Sequence, residues 1–260
     1  MAWIDSHCHL DFSEFNEQRE LYKHLLAAGC DGVLVPATQA QYFERVVNFS
    51  LHFAKGRSDF VYMALGLHPY FLSQHQSHDL QFLDGQISRH QPCAVGEIGL
   101  DFMLDIDTHD RQMFYFEEQV LLAIKHKLPL IVHCRKAHDQ LASLLRRLKF
   151  SFGGIIHGFS GSLVQAHKYL ELGFVLGLGG ALTYDRAQAM RKMVKALPHT
   201  AYVLETDSPD MAPAFARGEV NSPLNVPQIG HHIARLRQEP LAHIYAHSTE
   251  NFRRVIIPKG

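Results

Sequence analysis

Pro129-Leu130-Ile131-Val132-His133-Cys134-Arg135 is the stretch on which the fold turns. An uninterrupted apolar run this short, with β-branched Ile131 and Val132 at its centre, suits a strand of a parallel sheet buried on both faces. Just upstream, Arg111 to Lys127 places Phe114, Val120, Leu121 and Ile124 at helical spacing. Pro129 then forbids continuation of that helix. Working outward, similar short runs recur at Ala2–Ile4, Gly32–Pro36, Phe60–Leu67, Cys93–Ile98, Gly154–Ile156, Phe174–Leu178 and Ala201–Leu204. Amphipathic stretches separate them. The one at Leu21–Ala28 stops at Gly29, and Ser162-Leu163-Val164-Gln165 reads as a capping box for another that ends at Gly173. Eight such units at roughly 32 residues each accommodate βα crossovers, and the architecture that closes eight of them is the α/β (β/α)₈ TIM-type barrel. An open doubly wound sheet also alternates βαβ and is the rival. The glycines of Phe174-Val175-Leu176-Gly177-Leu178-Gly179 make this the weakest of the eight strand signals.

Composition narrows the function classes. The 260 residues are 47% hydrophobic, which excludes intrinsic disorder. A formal net charge of −1 argues against nucleic-acid binding through a broad basic surface, because such binding rests on phosphate neutralisation. Arg146-Arg147-Leu148-Lys149 and Arg253-Arg254 read as solvated helix faces. Cys8, Cys30, Cys93 and Cys134 are widely spaced, so free thiols in a reducing cytoplasm are expected rather than a disulfide framework. No basic leader or hydrophobic signal region marks Met1-Ala2-Trp3-Ile4-Asp5, and Gly173–Leu182 is too short to span a bilayer. The expectation is one domain over residues 1–260, cytoplasmic, off the membrane and without a stable protein partner.

The chemistry lies in the polar residues that end each run. Asp5-Ser6-His7-Cys8-His9, Leu67-His68-Pro69, Gly96-Glu97-Ile98-Gly99-Leu100-Asp101, His133-Cys134-Arg135, His157-Gly158-Phe159-Ser160 and Glu205-Thr206-Asp207-Ser208-Pro209 all stand at strand ends. In a barrel those ends converge on one rim, where the active sites of this fold sit. Strand alternation aims His7 and His9 the same way and Cys8 the other. With nineteen His in the chain, one after a strand says little; His75, His78, His90, His199, His231 and His232 are read as structural or surface residues. Glu97 and Asp207 would be costly to bury unpaired, and a cation removes that cost for them as for His133 and His157. Five or six N/O ligands exceed one catalytic zinc site but suit two ions sharing them. His and carboxylate donors suit Mg, Mn or Zn.

Taken together, these motifs resemble those of the TatD-type metal-dependent deoxyribonucleases, most closely the YjjV-like branch, within the amidohydrolase superfamily of (β/α)₈ barrels. The likeness runs from Ile4 to the region of Asn251-Phe252. It implies that His7, His9 and Asp207 hold one divalent cation, His133 and His157 a second, and that Glu97 bridges the two. It further implies hydrolysis of DNA phosphodiesters, as a 3′–5′ exonuclease, by hydroxide formed between two metal ions. The sequence departs at Asn221-Ser222-Pro223, where the family loop carries an additional Arg or Asn.

On that reading Asp207 is the general base and His68 and Arg135 contact phosphate oxygens. Glu205, two residues before Asp207 and facing the same side, orients a ligand or serves as a buried ion-pair partner. Asp101 caps its loop. DNA or a small phosphodiester is the expected substrate, held by weak local contacts. Hydrolysis of a small amide, lactone or ester, an aminoacyl-tRNA ester included, is the competing reading, since the same metals polarise a carbonyl. A metal-stapled binding module is the third.

Overall fold

The computed structural model describes residues 2–15, 18–54, 57 and 59–257, so the extreme ends of the 1–260 reading lie outside the described residues. The order is β1 (Trp3–Asp5), α1 (Gln18–Ala27), β2 (Cys30–Pro36), α2 (Phe43–His52), β3 (Val61–Leu65) and α3 (Ser77–His90). Then come β4 (Ala94–Asp101), α4 (His109–His126), β5 (Leu130–Arg135), α5 (His138–Arg147), β6 (Gly154–Ile156), α6 (Leu163–Glu171), β7 (Phe174–Leu178), α7 (Gln188–Ala196) and β8 (Tyr202–Leu204). Two helices, α8 (Val226–Arg237) and α9 (Leu241–Ile256), come after the last strand.

The strands pair in parallel in the order β1 to β8. Backbone bonds just beyond β1 and β8 draw the two edges together. Ser6 N–H donates to Leu204 O at 2.9 Å, His9 N–H donates to Ser208 O at 2.7 Å, and Cys8 bridges Ser208. The chain is therefore a (β/α)₈ barrel, as its periodicity predicts, and the open-sheet rival falls. The Ser162–Gln165 capping box is formed, and α4 ends at Lys127 in a left-handed turn before Pro129. Several boundaries differ: β3 is shorter than Phe60–Leu67, β2 begins earlier at Cys30, and β4 and β5 run on to Asp101 and Arg135, because Gly99, Leu100 and Asp101 stay in register with His133, Cys134 and Arg135.

Every strand sends one side chain to a common interior layer: Ile4, Leu34, Ala64, Ala94, Ile131, Ile155, Val175 and Val203. Phe252 and Ile256 of α9 pack against this layer from below, forming the floor of the barrel. The alternation of strand side chains fixes the next layer. Two residues beyond Ile131, Ile155 and Val203 stand His133, His157 and Glu205, so the layer above the apolar one is polar. Room for it comes from glycine. A Cβ on Gly177 would collide with the carboxylate of Glu205, and one on Gly96 would collide with the side chain of Ile131. Gly177, one of the glycines that weaken the β7 signal, is thus one the interior requires. A second apolar cluster fills the space between the sheet and the helices. The basic fragments lie on helix exteriors, where Arg146, Arg147 and Arg253 pair with Glu171, Glu117 and Asp31.

All four cysteines are free; Cys8, Cys30 and Cys134 are buried and Cys93 is half-buried. Burial raises each thiol, that of Cys93 and that of Cys134 to about 12. Thiolate is the reactive form. Native protein at pH 8 is expected to react with a thiol-selective disulfide reagent at least tenfold more slowly than denatured protein, which should release four equivalents. Rapid labelling of two or more thiols in the native state would contradict this burial.

Candidate metal centre

Side chains from the carboxyl ends of β1, β4, β5, β6 and β8 meet at the barrel mouth, with Glu97 at their centre. Glu97 is 2% exposed. Its Oε2 lies 3.2 Å from His7 Nε2 and 3.6 Å from His9 Nε2. Its Oε1 lies 2.7 Å from His157 Nε2, 3.0 Å from His68 Nε2 and 3.5 Å from His133 Nδ1. Asp207 closes the first side, with Oδ1 at 3.4 Å from His7 Nε2 and 3.8 Å from His9 Nε2. The two oxygens of one carboxylate thus face two separate sets of nitrogen donors. Donor atoms of His7, His9 and Asp207 form one group close enough to hold a cation, and those of His7, Glu97 and His157 and of His68, Glu97 and His133 form others.

Hydrogen bonds to the far ring nitrogens decide which imidazoles present a lone pair. Asp101 Oδ2 lies 3.1 Å from His133 Nε2, so that nitrogen carries the proton and Nδ1 faces the cluster as an acceptor. Asp101 also accepts from Met103 N–H, which fulfils its expected capping role and adds one the sequence does not suggest. In His68 the arrangement is reversed. Tyr70 N–H donates to Nδ1 at 3.0 Å, leaving the proton on Nε2, which points at Glu97. Burial keeps this ring neutral, its pKa lowered to about 4. His68 is therefore built as an N–H donor rather than as a metal ligand.

The electrostatics reflect crowding. His7 and His157 stack with ring centroids 3.9 Å apart, so two imidazolium charges there would repel strongly. Burial, aided by His157, lowers His7 to about 3. Burial opposes a charge on His157 too, yet Glu97 lifts it to about 10. For Glu97 itself burial would raise the carboxyl, but His68, His157 and His7 hold it well below the ordinary carboxylate range. Burial lifts Asp207 above its usual value. Both ring nitrogens of His7, together with Nδ1 of His9 and of His157, are buried without a hydrogen bond. Such orphaned groups are costly in an interior. Divalent cations fit this donor set, because they take neutral imidazole lone pairs and ionised carboxylates together.

Beneath the cluster the backbone is tied down. Asp5, buried and raised to about 7 by that burial, accepts from His7 N–H at 3.2 Å, Thr206 N–H at 3.0 Å and Thr206 O–H at 2.6 Å. It joins the two segments that carry His7 and Asp207. Asp207 has φ +58, a left-handed conformation costing a non-glycine residue about 1 kcal/mol, and its N–H donates to His7 O. Asn221 Nδ2 donates to Thr206 O and Asp210 O, while Asn225 Nδ2 donates to Asn221 Oδ1. Asn221 thus braces the Asp207 loop, and Asn225 in turn holds the amide oxygen of Asn221.

Glu205 and Arg135 stand apart from the ligand groups. Glu205 lies under His157, where Oε1 accepts the N–H of Gly158, and burial raises it to about 8. It acts on His157 through the adjoining peptide and does not line the mouth cavity. That cavity, about 290 Å³, is lined by His9, His68, Glu97, His133, His157 and Asp207, with Phe12, Tyr70 and Phe71 at its rim. The guanidinium of Arg135 is exposed, 3.7 Å from Asp101 Oδ2, and belongs to a neighbouring cavity of about 550 Å³ shared with Lys136, His138 and Ser160–Ser162.

A mouth of buried imidazoles and carboxylates at the strand ends of a (β/α)₈ barrel defines a metal-dependent hydrolase. The match to known proteins agrees. The chain belongs to the TatD related DNase family, whose model covers residues 4–256. It is 39% identical over 241 residues to YjjV of Escherichia coli K12, described as an uncharacterized metal-dependent hydrolase, covering 92% of this chain and 91% of the relative. The crystal structure of that TatD homolog superposes with a TM-score of 0.92 at 36% identity, covering 99% of this chain and 98% of the other. It is 28% identical, over 97% of this chain and 98% of the relative, to the 3′-5′ ssDNA/RNA exonuclease TatD of Erwinia tasmaniensis. An amidohydrolase from Saccharomyces cerevisiae shares the fold, with a TM-score of 0.78 at 16% identity over 98% of this chain and 99% of the other. Among the described residues no helix is long and apolar enough to cross a membrane.

Proposed function

We propose that this protein, as one hydrolase domain, cleaves DNA phosphodiesters from the 3′ end with two divalent cations. The observation that carries the proposal is the division of Glu97, one oxygen toward His7 and His9 and the other toward His133 and His157. His7, His9 and Asp207 would hold one ion and His133 and His157 the other, with Glu97 between them. Bound there, Mg, Mn or Zn would neutralise phosphate charge and lower the pKa of water toward neutrality.

The chain's own groups supply the rest. Asp207 accepts the proton of the attacking water. His68, held as a neutral N–H donor, hydrogen-bonds a phosphate oxygen, and the departing sugar oxygen takes its proton from solvent. The cavity is small enough to take a terminal nucleotide but not a duplex, being at the low end of ligand-pocket volumes. Phe12, Tyr70 and Phe71 at its rim offer faces on which a base stacks. Such a rim favours a nucleotide over a small aliphatic amide. Arg135, one cavity away, reaches the next phosphate.

The test is direct. Chelated protein is reloaded with Mg²⁺, Mn²⁺ or Zn²⁺ and given 5′-labelled single-stranded DNA, bis-p-nitrophenyl phosphate and a panel of amides. A ladder shortening from the 3′ end, lost with chelator and restored by metal, is expected. Turnover of an amide beside intact DNA would overturn the proposal. In the same assay Arg135→Ala is expected to raise KM for DNA about tenfold, as loss of a charged hydrogen bond would, while leaving bis-p-nitrophenyl phosphate nearly unaffected. Equal losses on both substrates would remove Arg135 from DNA binding.

A further inference from the structure

At the far end of the barrel, three residues that sequence and family leave without a role come together. His199 lies in the short turn before β8, Glu239 joins α8 to α9, and His247 is on α9. Their donor atoms lie within 4.8 Å of one another. Glu239 Oε2 is 3.5 Å from His199 Nδ1, and the His199 and His247 rings are 4.4 Å apart. Glu239 Oε2 and His247 Nδ1 are both buried with no hydrogen bond. His243 stands one helical turn before His247, its ring 6.1 Å away. Two histidines four residues apart share one helix face, a spacing suited to one metal ion.

We propose that His199, Glu239 and His247 form a second, separate metal site, to which His243 can add a fourth ligand. Arg237 selects the ion. Its Nε donates to Glu239 Oε1 at 2.9 Å and its Nη1 to Val194 O and Leu197 O, which fixes the carboxylate and leaves Oε2 free. Its Nη2 lies 3.3 Å from His199 Nδ1 and must yield that contact when an ion binds. A guanidinium so near disfavours hard cations held by charge alone. Imidazole-seeking ions such as Zn²⁺, Ni²⁺ or Cu²⁺ gain enough from nitrogen donors to bind. Occupancy would tie α9 to the turn ahead of β8, a link already begun by Asn251 Nδ2, which donates to His199 O and Tyr202 O. The site is a clamp on the floor helix, remote from the mouth.

The experiment compares wild-type protein with His199→Gln/His247→Gln after chelation and dialysis against micromolar Zn²⁺, with bound zinc measured by elemental analysis. Wild type is expected to retain one equivalent more than the double variant, and zinc should raise its Tm by several degrees more. Basal activity should be equal in the two. Cu²⁺ added to wild type should give, beyond the nitrogen-coupled electron paramagnetic resonance signal that the mouth imidazoles contribute in both proteins, a second such signal absent from the double variant, and excess Mg²⁺ should not displace it. Equal zinc content together with an unchanged copper signal would overturn the proposal. Should the double variant unfold by circular dichroism, Glu239→Gln alone is expected to weaken zinc binding at least tenfold, and wild-type affinity there would overturn it equally.

Discussion

Glu97→Gln is expected to lower kcat by about 10³-fold or more on any phosphodiester substrate after metal reloading, while far-ultraviolet circular dichroism stays native. Glutamine preserves the volume of a side chain that lies close to five imidazoles, but it removes the charge that the two proposed cations would share. Removal of one group that stabilises developing charge costs roughly 10²–10³ in rate, and on the proposed reading loss of an anion between two cations would add depleted metal to that loss. The variant should retain at least one equivalent less metal than wild type by elemental analysis. A Glu97→Gln protein with full metal content and more than a tenth of wild-type kcat would remove Glu97 from the centre. The amide should also free His157 from the pairing that raises it, so its imidazole resonances should titrate well below about 10.

Phe252→Ala is expected to lower stability by about 3–5 kcal/mol, the usual cost of deleting a buried phenyl ring. Phe252 is fully buried against the eight-strand interior layer, and its ring meets Tyr62 edge to face at 5.0 Å. In a chain this size that corresponds to a fall in Tm of about 10 °C. Calorimetry provides the check. The mouth lies on the other side of the apolar layer, so kcat of the folded fraction at low temperature should change less than twofold. A loss of activity comparable to that of Glu97→Gln would mean that floor and mouth are coupled.

The barrel was legible because strands buried on both faces must be nearly continuous in apolar residues, and Pro129-Leu130-Ile131-Val132 is one. The cluster of candidate donors was legible for a related reason: carboxylates and imidazoles that end several such runs are costly to bury unpartnered, and the barrel brings those ends together. Residues acting through long-range pairing gave no such signal. Asp101 orients His133 across 32 positions, and only their adjacency in β4 and β5 reveals it. Asp5 was open to the argument applied to Glu97, since it too ends an apolar run, but its partner Thr206 is 201 positions away. Gly177 looked like a defect in a strand until Glu205 was seen to occupy its missing side chain's place. His199 passed as a surface histidine because Glu239 and His247 reach it only through the packing of α9.

The position of the floor helix in the chain has a bearing on biosynthesis. Residues 241–256 leave the ribosome after all eight strands, so a nascent barrel has its strands before anything covers the underside of Ile4, Leu34, Ile131 and Ile155. Until α9 docks, that hydrophobic opening is available to any passing chain, as is usual for large domains awaiting their last element. A chain truncated before residue 241 should therefore stay longer with chaperones and give a higher insoluble yield than the full chain.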